Sequence, residues 1–73
     1  MTEEAFAAAA EEFEQAARDL ELAAQHLRTA ARHFRDRNIP RGCAHAYAAQ
    51  GHLHVAQGHI DHRAVVHAEK SLP

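Results

Sequence analysis

The sequence predicts an all-α fold: two long antiparallel helices forming a helical hairpin, which pairs with a second copy as a homodimeric four-helix bundle. Three observations carry this expectation. Large apolar residues recur every seven positions, at Phe6, Phe13, Leu20, Leu27 and Phe34, between alanine lines at Ala9, Ala16, Ala23, Ala30 and at Ala10, Ala17, Ala24, Ala31. A seven-residue apolar repeat marks a helix that lies along another helix, and the alanines make the face wide and shallow. Second, the 73 residues hold only three Gly and two Pro, so the chain is dominated by helix formers. Third, a single domain of this length is marginal by itself, and its one cysteine allows no internal disulfide, which leaves self-association or metal to add stability.

The chain reads as one domain, 1–73. Thr2 is placed to accept the free backbone donors of a first helix whose opening turn carries Glu3 and Glu4, favourable at the positive end of the helix dipole. That helix is expected over about 3–37. A turn at about 38–40 follows, with Asn38 in the left-handed stop conformation, and Pro40 disfavouring helix at Ile39 while suiting the start of the next helix. The second helix is expected over about 41–70. Its matching heptad is Ala46, Leu53, Ile60 and His67, flanked by Ala49 and Ala56, so the large apolar residues are expected in the seam of the hairpin.

A second small-residue line runs along the later helix. Ala44, Gly51, Gly58 and Val65 share one side, with Ala48 and Val55 beside them. An interior glycine costs a helix roughly 1 kcal/mol relative to alanine, so two of them seven apart point to close approach of another backbone. These six residues are the candidate interface with a second protomer. Charge supports the pairing. Seven acidic residues lie between Glu3 and Glu21 with only Arg18 among them, whereas Arg28, Arg32, Arg35, Arg37 and Arg41 gather at the turn against Asp36. In an antiparallel dimer each basic turn sits beside the partner's acidic open end.

From Ala5 to Ala68 the alternation of small and large layers resembles the Rop class of helical hairpins. The resemblance implies a dimeric bundle and, as a function, binding of paired RNA loops. The charges argue the other way: the net charge is −2 and Tyr47 is the one aromatic available for stacking. Nucleic acid is therefore not the expected partner. The acidic N-terminus and the lack of an apolar run near the roughly 20 residues of a membrane span lead to the expectation of a cytoplasmic protein without membrane contact.

Eight histidines are the strongest functional signal. His45, His52 and His59 repeat at seven, so they point the same way at steps of about 10.5 Å, too far for one ion within one helix. His59 and His62 are the one close pair on a single helix. Across the hairpin, a turn centred near Ile39 and Pro40 sets His33 level with His45, His26 with His52 and Asp19 with His59. The stripe Glu12, Asp19, His26 and His33 then meets the later histidines on one edge. His26, His33, His45, His52, His59 and His62 are the candidate metal ligands, and zinc, nickel, copper or cobalt the candidate cofactor. If the second helices of two copies meet antiparallel, His52 approaches its mate, and acid is expected to loosen the dimer through it.

Cys43, at the start of the second helix, is read as a buried structural cysteine. There is no glycine-rich phosphate loop and no strand to carry a nucleophile, so the chain is not expected to be an enzyme. The expected function is a small non-catalytic interaction module whose partner is itself and, through its surface, a further protein. The alternatives are a histidine-rich divalent-metal binder or sensor, and a Rop-like RNA-binding hairpin.

Overall fold

The computed structural model describes residues 2–73. It is a hairpin of two α-helices, α1 (Glu3–Arg35) and α2 (Ile39–Lys70), packed antiparallel. The molecule measures 53 × 25 × 12 Å, a slab two helices wide and one helix thick. No helix among the described residues is long and apolar enough to cross a membrane.

Both helices begin on side-chain caps. Thr2 Oγ1 accepts from the Ala5 amide at 3.1 Å, and Asn38 Oδ1 accepts from the Arg41 amide at 3.3 Å. The chain reverses between these helices in three residues. The Asn38 amide donates to the His33 carbonyl at 2.8 Å and the Arg37 amide to the Phe34 carbonyl at 3.0 Å, with Arg37 at φ 61°. This is the paired 6→1 and 5→2 closure of a Schellman motif, in which the residue after the helix takes the left-handed conformation. The left-handed residue is thus Arg37 and not Asn38, and α1 ends two residues before position 37. Asn38 serves the next helix instead, with Pro40 in its first turn.

The seam is built of alanine. Ala16, Ala23 and Ala30 of α1 and Ala49 and Ala56 of α2 are 7% exposed or less, and Gly42 continues the α2 line. Small side chains on facing lines let two helices approach closely. No large side chain among the described residues is fully buried. Phe6, Phe13, Leu20, Leu27 and Phe34, expected in the seam, are instead 42–56% exposed, and Leu53 and Ile60 are 44% and 40% exposed. The physical reason is angular: the large stripe lies about 40° round the helix from the alanine line, and two helices can close on only one of the two. The hairpin therefore keeps one broad face apolar, where an open groove is walled by Leu20, Leu27 and Leu53 over Ala23 and Ala49.

The glycines divide in an unexpected way. A Cβ built on Gly51 or Gly58 has nothing within 4 Å, so the hairpin itself makes no close contact there. Gly42 is the close one: a Cβ there would stand 2.6 Å from Phe34 Cε2, so the ring of Phe34 lies over the bare backbone of α2.

Candidate functional site

On the other side of the alanine line, about 60° round each helix, runs a second line that completes the seam. In α1 it is Glu12, Asp19, His26 and His33; in α2 it is His45, His52 and His59. Together with the alanines these positions follow the alternating three- and four-residue steps of a helix–helix seam, so the hairpin alternates alanine layers with ionisable ones. Within the seam of one hairpin the layers are small and polar, and the large residues of the heptad pattern lie outside it.

The ladder has two chemically distinct halves. At the open end, Glu12 receives hydrogen bonds from His59 Nδ1 at 3.0 Å and His62 Nδ1 at 2.6 Å. Arg63 Nε stands 3.1 Å from the same carboxylate, in ion-pair range but misaligned for a hydrogen bond. One heptad nearer the turn, His52 Nδ1 donates to Asp19 Oδ1 at 2.9 Å. At the turn end the carboxylates stop. His26 Nδ1 lies 3.0 Å from His45 Nδ1, so one imidazole donates a proton and the other must be bare to accept it. His33 stacks on His45 and His26 on His52, with ring centroids 5.3 and 5.5 Å apart.

These surroundings move two protonation equilibria. The hydrogen bond from His59, then that from His62, hold the Glu12 carboxyl below its ordinary value. Partial burial, followed by the nearby His26, His33, Arg32 and Arg41, pushes His45 down from 6.5. The signs follow by linkage. His45 contributes stability while neutral, and loses it as the pH falls below about 6.5. Glu12 contributes while ionised, and loses it only below the 4.5 of an ordinary glutamate.

The six candidate metal ligands are thus brought to one side of the hairpin seam but do not converge. Among the described residues no group of three or more His, Cys, Asp or Glu side chains is placed to hold one ion. His59 and His62 are turned to Glu12, His52 to Asp19, and only His26 and His45 face each other through nitrogen. The levels expected for His33 with His45 and His26 with His52 are seen as ring stacks. Asp19 pairs with His52, however, and not with His59. Because the turn is centred on Arg37, His26 sits between His45 and His52 of α2.

Three further expectations concern residues the structure now places, and one of them, the buried Cys43, is overturned. His52 is engaged inside its own hairpin, where its Nδ1 lies 2.9 Å from Asp19 Oδ1, an ion pair when the ring is protonated. Cys43 is exposed, beside Ala46, Tyr47 and Gln50. Of the candidate interface, Ala44, Gly51, Val55, Gly58 and Val65 lie exposed on the outer side of α2 and Ala48 is half-buried, while the larger apolar surface is elsewhere. Sequence reasoning missed Arg63 altogether. The signal was its place on the line Gly42, Ala49, Ala56, where a long cation interrupts a run of small residues beside Glu12.

No protein-family model, curated protein or solved structure matches the chain.

Proposed function

We propose that the chain is a non-catalytic interaction module whose broad apolar face is covered by a second copy, giving a four-helix bundle. The observation that carries this is the fate of the large stripe: seven phenylalanine, leucine and isoleucine side chains, all at least 40% exposed, share one face of a slab one helix thick. Contiguous exposed apolar surface on that scale marks an interaction face. The total surface fits a missing partner. The hairpin exposes 5663 Å², roughly 1,200 Å² more than the roughly 4,500 Å² of a compact monomer of this mass. A standard interface removes about 800 Å² from each partner. The acidic open end and the basic turn favour an antiparallel arrangement, in which each end of one hairpin meets the opposite charge on the other.

Sedimentation equilibrium at micromolar concentration tests the proposal. A dimer of twice 8.1 kDa is the expected species, and a compact folded monomer would overturn it. The metal-binding alternative rests on the His26 and His45 nitrogens. Thermal melts with zinc, nickel, copper or cobalt near stoichiometry test it, with a gain of several degrees that a chelator reverses as its required result.

A further inference from the structure

We infer that the second copy is held through α1, which runs antiparallel along the partner's α1, with Glu14 and Glu21 of each chain beside the partner's Arg28 and Arg35. The inference rests on the dimer reading and deepens it, by naming which helix of one hairpin meets which helix of the other.

α1 carries two seams. The first, of alanine and ladder positions, is closed by α2. The second alternates the large stripe with the outer alanines: Phe13 to Ala17 is a step of four and Ala17 to Leu20 a step of three, and the same steps repeat through Ala24, Leu27, Ala31 and Phe34. The two seams are directed about 100° apart round the helix. That is close to the right angle between the two neighbours of a helix at the corner of a four-helix bundle. The hairpin leaves the second seam open, with Ala17 and Ala31 exposed and Ala24 half-buried. α2 has no equivalent seam. Beside its Leu53 and Ile60 the corresponding line is Cys43, Gln50, Gln57 and Ala64, where two glutamines hold another helix further off than alanine does.

The orientation comes from the next line out, about 40° beyond the outer alanines. It reads Glu14, Glu21, Arg28, Arg35, all exposed, acidic in its first half and basic in its second. A helix with that order is complementary to an antiparallel copy of itself and sets like charges against a parallel one. The matching line on α2 reads Tyr47, His54, Asp61 and offers no such complement. Were α1 to lie antiparallel on the partner's α2 instead, both turns would fall at one end of the dimer. The turn arginines of the two copies would then crowd together, and Glu14 would stand near the partner's Asp61. Exposed ion pairs are individually weak, so the charges choose the orientation while the apolar stripe supplies the affinity. A two-fold axis across the helices makes each contact twice.

Charge-swapped chains test the pairing. In one, Glu14→Arg with Glu21→Arg makes the line wholly basic; in the other, Arg28→Glu with Arg35→Glu makes it wholly acidic. Sedimentation equilibrium at low salt is expected to show each chain alone as a dimer weakened roughly tenfold or more, and the equal mixture as a dimer within about threefold of the parent's strength. The control puts the same charges on the line that faces away from the apolar surface, with Glu4→Arg and Glu11→Arg in one chain and Arg18→Glu and Arg32→Glu in the other. An equal preference in the control pair, or none in the test pair while the parent is dimeric, overturns the inference and leaves the dimer standing. A monomeric parent overturns the dimer itself. The second arm needs no charge. Ala17 is exposed in the hairpin, so Ala17→Phe should leave the chain folded but weaken the dimer about tenfold or more by holding α1 off its mate. Gln57→Phe, at the same place on α2, should change it less, and the reverse order would put α2 in the close contact and overturn the inference.

Discussion

The alanine line of α1 and its phenylalanine–leucine stripe have the same seven-residue period and lie about 40° apart, yet one is buried and the other is left to solvent. Alanine offers little apolar area per residue, but it lets two backbones come close enough for peptide units and Cβ atoms to pack along much of a 53 Å hairpin. Phenylalanine and leucine in the same seam would hold the helices apart and strand the ionisable line between them. The difference separates two orders of assembly. The small line is satisfied within one chain, and the large stripe is the surface that the proposed second copy would cover.

The sharpest way to break this comparison is to enlarge the small line. Ala56 is fully buried, so Ala56→Leu should force the helices apart and cost about 3 kcal/mol. A melting temperature equal to that of the parent would mean that the helices do not close on this line. Trimming the large stripe should behave differently. Leu27→Ala removes a side chain that is half-exposed in the hairpin, so its cost should be small in dilute solution and grow towards about 2 kcal/mol per protomer once a partner covers it. Melts across a dilution series measure that growth, and a cost independent of concentration would leave the stripe without a second copy. The smallest expected effects separate the glycines. Gly58→Ala, in open space, should stabilise α2 by roughly 1 kcal/mol. Gly42→Val must displace the ring of Phe34 and should cost about 1 kcal/mol. If Gly58→Ala instead weakened assembly, the outer line of α2 would be the partner's seat.

Much of the architecture was legible because heptad repeats, caps and a proline report on short-range physics. Thr2 as a cap, Pro40 in the first turn of α2 and the gathering of His33, His26, Asp19, His45, His52 and His59 on one side of the hairpin all follow from local spacing. The choice of buried line was not legible, since alanines and phenylalanines share one period and only the geometry of a closed pair of helices decides between them. The rule that larger apolar residues go inside favours the wrong stripe in a unit with only one layer. The exact ladder partners depended on the turn. Taking Asn38 as the left-handed residue set the turn too late, and the shift carried Asp19 from His52 to His59. That Arg37 would take the conformation had no signal in its side chain; it follows from Asn38 being held by α2 as its cap. Gly42 escaped notice for a similar reason, because its partner Phe34 belongs to the other helix.

The position of the turn also settles what happens if the chain fails to bend. The alanine line of α1 reaches Ala30 and that of α2 resumes at Gly42, and on one uninterrupted helix these two residues would point about 120° apart. Two straightened chains lying side by side, exchanging halves, would have to bury lines that do not run on the same side of the rod. They would lose one small-residue seam or wrap abruptly where the turn had been. The hairpin is thus insulated from the domain-swapped rod that two long amphipathic helices with a short connection otherwise invite.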